Sequence, residues 1–200
     1  TRDAFPSIRV DVTDLFGAYL PRLGVSSTLV AMAASPKALQ NATWGGGEVL
    51  AHGPWRGRAA RLLACLAHDL GSVLRHARRH DAVLVRDKIL TGALALGLAR
   101  LLGVRFLYWI SFQHPDEDLQ RAGDGSLNLG ATRRAYLRIR GLLTGWVLTR
   151  ILLRRCDHAF VQSEQMARIL AGQGANLELL TPVPMGVDQE RLDQLTPAPV

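Results

Sequence analysis

Apolar and polar positions change period along the chain, and the change is clearest in the middle. Asp81–Asp87 (DAVLVRD) is a continuous apolar run of the kind buried on both faces of a parallel sheet. A helical pattern follows over Ile89–Leu102, closed by Gly103, and Val104–Phe112 (VRFLYWISF) is a second strand. Strand, helix and strand together occupy about 30 residues, the size of one βαβ unit. The order recurs at Cys156–Asp188: an apolar strand ending in Ser163, a short helix, a turn at Gly172 and Gly174, a second apolar run and a Pro-Met-Gly loop. Repetition of this unit predicts an α/β fold with a parallel sheet flanked by helices. In such sheets ligands bind at the loops beyond the carboxyl ends of the strands. Ser163–Glu164 and Met185–Asp188 are therefore expected on one functional edge.

The first 80 residues are less regular. Residues 1–12 read as a loop. Leu15, Phe16, Tyr19, Leu20 and Leu23 share one face of a helix over Thr13–Leu23, which Gly24 stops. Leu29–Ala34 is a short strand, and residues 37–58 carry no clear period. Gly45–Gly46–Gly47 has the glycine content of a phosphate-cradling loop but lacks a preceding strand and a following Lys-Ser/Thr, which favours a turn or flexible loop. Over Ala59–Arg79 a helix is expected to place Leu62, Leu63, Leu66, Leu70, Val73, Leu74 and Ala77 against a sheet. His68, His76 and His80 then fall on its polar side or end, as solvated residues and not metal ligands.

Two segments carry candidate chemistry. Gln113–Asp118 gathers an imidazole and three carboxylates beyond a strand end, where acids, bases or groups that bind sugar hydroxyls are expected. The alternative is a polar loop in which Pro115 starts a helix and Asp116–Glu117 complement its dipole. Residues 119–130 read as a glycine-rich loop. Thr132–Arg155 (TRRAYLRIRGLLTGWVLTRILLRR) is apolar around most of a helical wheel, with Ile139, Leu142, Leu143, Trp146 and Leu153 on one arc and Arg150 inside it. A helix apolar most of the way round is expected to bury most of its surface. Its arginines cluster at both ends. Docking of residues 133–155 on an anionic membrane surface and a core helix with solvated ends both fit.

Composition narrows the classes. Of 200 residues, 48% are hydrophobic and 20% charged, which excludes a disordered chain. The net charge is +7, and with only Lys37 and Lys88 as lysines nearly all of the cationic groups are arginine. Guanidinium forks suit phosphates, although a GC-rich genome would produce the same bias. Cys65 and Cys156 match no ligand spacing and no disulfide framework, consistent with a reducing compartment. No uninterrupted apolar run reaches the ~20 residues that a membrane span requires. No GxGxxG follows a first strand, which argues against a nicotinamide-dependent oxidoreductase. The arginines are not interleaved with stacking aromatics, which argues against a nucleic-acid partner.

FPSIRVDVTDLFGAYLPRLGV, VRDKILTGALALGLARLLGVRFLYW and CDHAFVQSEQMARIL followed by VPMGVDQERL, in this order and spacing, resemble the N-terminal, acceptor-side half of a family 4, GT-B-fold glycosyltransferase. The resemblance implies a Rossmann-like domain over 1–188, lacking its first strand, with 189–200 opening an interdomain linker to a second Rossmann-like domain. It implies retaining transfer from a nucleotide sugar to a glycan or lipid-linked acceptor, without cofactor or essential metal. Members often end a strand in His where Ser111 stands here, with His114 three residues later as the candidate catalytic group. Arg9 falls where the family has a Gly-Gly cradle for the diphosphate, and Met185 replaces a common Asn. Substrate-binding candidates are Arg9, Ser111, Asp116, Glu117, Ser163 and Gly186, with Arg86 and Lys88 as weaker cations. Developing charge on the leaving diphosphate is the reason to look for cations. The resemblance places the protein in the cytoplasm, peripheral on the inner face of the membrane. The rival class is a non-catalytic membrane- or polyanion-binding α/β domain.

Overall fold

The computed structural model describes residues 4–5, 11–33, 35, 44–53, 57–184 and 186, which form an α/β protein of two parallel sheets with flanking helices. Two compact units divide the chain, Thr1–Ser72 with Met185–Val200, and Val73–Pro184.

The first unit holds a three-stranded parallel sheet, β1 (Ala4–Phe5), β2 (Leu29–Ala33) and β3 (Val49–His52), in that order. β1 lies where the polar, proline-containing start predicts a loop, and β3 lies in the stretch without a clear period. Between β1 and β2 the chain makes a π-helical segment, Asp11–Tyr19, and a short α1 (Leu20–Arg22). Gly24, at φ +79°, ends it: its N–H reaches Pro21 O and the Val25 N–H reaches Leu20 O, both at 3.0 Å. That paired reversal satisfies the last carbonyls.

The triple glycine forms a turn, as expected, closed by the Gly47 N–H on Trp44 O at 3.2 Å. A Cβ on Gly45 would overlap the Gly17 carbonyl, and one on Gly46 would meet Trp44, Phe16 O and Ser27 Oγ below 3 Å. The Trp44 indole N–H donates to Ser27 O at 3.2 Å, and the Ser27 N–H to Gly46 O at 2.7 Å. Absence of side chains lets the loop lie against the π-helical segment.

α2 (Arg58–His76) and a 3₁₀ turn, Ala77–Arg79, follow. The expected apolar face is only partly correct, since Leu62, Leu63 and Leu74 are exposed while Asp69 and Ser72 are buried. His68 is also not solvated: its Nε2 lies 3.1 Å from Leu50 O and its ring packs edge-on against His52. No group of three metal-ligating side chains occurs among the described residues.

The second unit carries the clearer pattern. Its sheet is β4 (Ala82–Arg86), β5 (Arg105–Ile110), β6 (His158–Val161) and β7 (Leu180–Pro182), all parallel and in sequence order. α3 (Ile89–Leu102) joins β4 to β5 and ends at Gly103, φ +69°. From β5 to β6 the chain runs through α4 (His114–Gly123), α5 (Ala131–Val147), a π-helical turn at Leu148–Leu152, and α6 (Leu153–Arg155). α7 (Glu164–Gly172) connects β6 to β7. α3 packs against α5 and the π-helical turn that follows it, which puts them in one layer.

Phe106, Tyr108 and Ile110, alternate residues of β5, are buried with Val161, Leu152, Leu153 and Leu170. Tyr108 lies so close to α3 that a Cβ on Gly92 would approach its ring to 2.9 Å.

The long arginine-rich segment departs most from expectation. Leu148, Leu152 and Leu153 are buried, but Ile139, Leu142, Leu143 and Trp146 are exposed. The π turn is the reason. Its extra residue per turn rotates Leu153 out of the arc it shares with Trp146 on an ideal wheel and into the core.

Candidate active site at the carboxyl edge of the second sheet

Parallel register sets the edge. Arg86 pairs with Trp109, Ile110 with Val161, and Val161 with Pro182, so the chain leaves β4, β5, β6 and β7 at nearly the same level. Asp87, Ser111 and Gln162–Ser163 therefore open neighbouring loops.

At β4 the exit is strained. Asp87 has φ +55°, and the Lys88 N–H donates to Arg86 O at 2.7 Å, closing a three-residue turn on Asp87. Such turns with positive φ at a side-chain-bearing residue are rare and costly. The surroundings hold Asp87 there: its N–H donates to Trp109 O at 2.9 Å, and its carboxylate accepts the Ser111 N–H at 2.7 Å and the Ser111 hydroxyl in a short bond. Arg86 donates from Nη2 to Ser111 Oγ at 3.2 Å, and its Nε lies 3.7 Å from Asp87 Oδ2. Side-chain exposures of 13% for Arg86 and 2% for Asp87 make this a buried ion pair bridged by a hydroxyl. Arg86 is therefore turned into the protein and away from any phosphate outside it. The opposite end of β5 is held in the same way, with the Phe106 N–H donating to Asp157 Oδ2 at 2.7 Å and Arg100 Nη1 3.0 Å from Asp157 Oδ1.

Beyond Ser111, the segment expected to be a loop or a helix start is the first turn of α4. His114 occupies its first position and Pro115 the second, where the missing N–H costs nothing. The His114 ring stands edge-on to Phe112 at 5.1 Å, with Nδ1 3.9 Å from Glu117 Oε2. Glu117 also reaches Arg121 Nη1 at 3.4 Å. His114, Asp116 and Glu117 are half-buried and open to solvent. Asp118, the third carboxylate, is different: it is buried and grips Arg140 of α5 through both oxygens, with Nε at 2.6 Å. Its hydrogen bonds raise the Arg140 pKa. Asp118 ties α4 to α5 and is not available to a substrate.

Asp116 and Gln113 line a recess of about 20 Å³ with Pro115, Gly145, Leu148, Leu170 and Gln173, room for about one water. Gln113 Nε2 is buried there without a hydrogen-bond partner among the described residues. Sequence reading passes over Gln113 and Asp87. Their signal lies in register and burial, not in residue type.

Ser163 caps α7, its Oγ accepting the Met166 N–H at 3.1 Å, and is exposed beside Glu164. Ser111, His114, Asp116, Glu117 and Ser163 thus share one edge of one sheet. Gly186 is exposed, with open space around its Cα, and belongs to the first unit. Arg9, Met185, Val187 and Asp188 lie outside the described residues.

What the edge can do follows from these groups. It offers an imidazole, two accessible carboxylates and a serine hydroxyl, which suit a polyhydroxyl ligand. No curated protein and no solved structure matches the chain. A family model does: residues 10–186 match the glycosyl transferase 4-like domain, which agrees with the parallel α/β sheet and its flanking helices, and the chain belongs to that family.

Proposed function

We propose that this glycosyltransferase chain is the acceptor-binding half of a retaining enzyme that moves a hexose from a nucleotide sugar to a glycan or lipid-linked acceptor at a membrane surface. The observation that carries the reading is the clustering of His114, Asp116 and Glu117 in one helical turn beyond β5, next to the loop opened by Ser163. Imidazole and carboxylates hydrogen-bond sugar hydroxyls, and a neutral imidazole nitrogen can accept a hydroxyl proton.

His114 is the catalytic candidate. Ser111 and Asp87 position its loop, while Asp116, Glu117, Ser163 and Gly186 contact substrate. Arg9 takes the place of a backbone cradle and stabilises charge on the departing diphosphate. The donor is a substrate, and neither cofactor nor metal enters the step. Residues 1–188 act as the acceptor-side domain and 189–200 as the start of a linker to a donor-binding Rossmann-like domain, without which the chain does not turn over. The enzyme works in the cytoplasm, peripheral on the inner membrane face, in polysaccharide biosynthesis.

The test is transfer of labelled sugar from a panel of nucleotide sugars to membrane extract, using the whole polypeptide in which this chain occurs. His114→Ala is expected to lower the rate by roughly 10²–10⁴-fold, and Arg9→Ala to raise the donor KM. Wild-type rates in both variants overturn the assignment of residues. Tight binding of anionic vesicles without transfer from any donor overturns the enzyme reading in favour of a membrane- or polyanion-binding domain.

A further inference from the structure

One side of the second unit has a composition the transfer site does not explain. α3 and the continuous segment 131–155 lie in one helical layer, and neither contains a single Asp or Glu, against eight arginines between them. On the outward face of α5, Ile139, Leu142, Leu143 and Trp146 are 58–62% exposed, on the side away from its buried Leu137 and Gly141. Tyr136 is half exposed beside them, with the Arg133 and Arg140 guanidiniums 5.3 and 5.8 Å from its ring centre. Arg138 and Arg150 are exposed at the margins of the stripe.

α3 repeats the pattern with Leu90, Leu94 and Leu101 exposed. Between the helices runs a solvent-open groove of about 380 Å³, lined by Ala93, Leu96, Gly97 and Ile151 and rimmed by Arg100 and Arg155. Arg100 is held in place by Asp157 and by the Arg155 carbonyl.

Exposed apolar residues on this scale mark an interaction surface. The charge identifies its occupant. Helices that carry no acid of their own, with an apolar centre containing Trp and Tyr and an arginine margin, complement a layer that is anionic outside and hydrocarbon inside. We infer that the outward face of α3 and α5 seats the protein on an anionic bilayer leaflet. Ile139, Leu142, Leu143 and Trp146 enter the boundary between headgroups and acyl chains, and Arg138, Arg150 and Arg155 contact lipid phosphates. This deepens the membrane part of the proposed function and rests on it. It also assigns a different role to the neighbouring leucines, since Leu148, Leu152 and Leu153 belong to the core and contact no lipid.

Vesicle flotation of the full chain tests it, with phosphatidylcholine alone and with a third of the lipid replaced by phosphatidylglycerol. Binding to the anionic vesicles only is expected. Leu142→Gln/Leu143→Gln, two exposed positions, is expected to weaken it at least roughly tenfold with an unchanged far-ultraviolet circular dichroism spectrum. Arg138→Gln/Arg150→Gln should weaken it and flatten its salt dependence. Brominated lipid should quench the emission that Trp146→Phe removes.

Wild-type partition of the leucine variant, equal binding to neutral vesicles, or no binding to either overturns the inference. So does a wild-type dimer that the leucine variant converts to monomer, which assigns the face to a second copy of the chain. The transfer reading fails separately. In the whole polypeptide the leucine variant keeps its transfer rate on a water-soluble acceptor, and vesicle binding requires no sugar.

Discussion

At the scale of single residues, Asp87 has the greatest effect for its size. It sits in a backbone conformation that only its partners stabilise, and it neutralises a buried guanidinium. Asp87→Ala leaves Arg86 charged without its carboxylate and should cost about 3–5 kcal/mol in urea unfolding. Ser111→Ala removes the bridging hydroxyl alone and should cost about 1–2 kcal/mol. The order of the two losses is the check: equal losses would mean that the hydroxyl and not the ion pair holds the edge.

Burial also gives a pH dependence. It pushes the Cys156 thiol up to about 11 from 9.0, and raises the Tyr108 phenol well above its ordinary range. Below pH 9 both groups are protonated folded and unfolded, so they contribute no slope. Above it the unfolded chain releases protons that the folded one keeps, so stability falls as pH rises from 9 towards 11. Chemical denaturation at pH 8 and pH 10.5 should show a loss on the order of 1 kcal/mol or more. At neutral pH Cys156 should resist alkylation until the protein is unfolded.

At the scale of elements, two glycines of α3 separate packing from propensity. Gly92 faces the core, where an added methyl meets the buried Tyr108 ring at 2.9 Å and Leu152 at 3.4 Å. Gly97 faces open space. Gly92→Ala should therefore destabilise by about 1–3 kcal/mol, whereas Gly97→Ala should stabilise by about 0.5–1 kcal/mol. Thermal melts of the two variants test this on one helix. The π turn after α5 matters at the same scale, because one extra residue in a turn lets a single helical segment expose apolar side chains at its start and bury them at its end.

For the whole molecule the relevant quantity is charge. A net +7, concentrated in arginine, draws the protein to anionic surfaces over distances set by the ionic strength. Binding to anionic vesicles should fall steeply between low and high salt, as the screening length shortens from about 30 Å at 0.01 M to about 3 Å at 1 M. The part that survives measures the apolar stripe of α5. No helix among the described residues is long and apolar enough to cross a membrane.

The parallel α/β class, the boundaries of α3 and the succession of β4 to β7 along the chain follow from local chemistry. Continuous apolar runs, a helical period and a glycine in left-handed conformation at Gly103 act over a few residues, and their effect is legible without the fold. β1 and β3 are not legible in this way, because strands of two and four residues owe their pairing to β2 and not to their own pattern. The candidate site is legible by residue type at His114, Asp116, Glu117 and Ser163. The sequence equally suggests Asp118 as an available carboxylate, and only the neighbouring helix shows that Arg140 holds it.

Tertiary structure alone decided that Asp87 and Ser111 meet, because the register of β4 on β5 joins residues 24 positions apart. It also decided which leucines of segment 131–155 are covered. Periodicity identifies a helix and its apolar arcs, but the side that becomes surface depends on what the rest of the chain packs against it, and here a π turn shifts that division partway along.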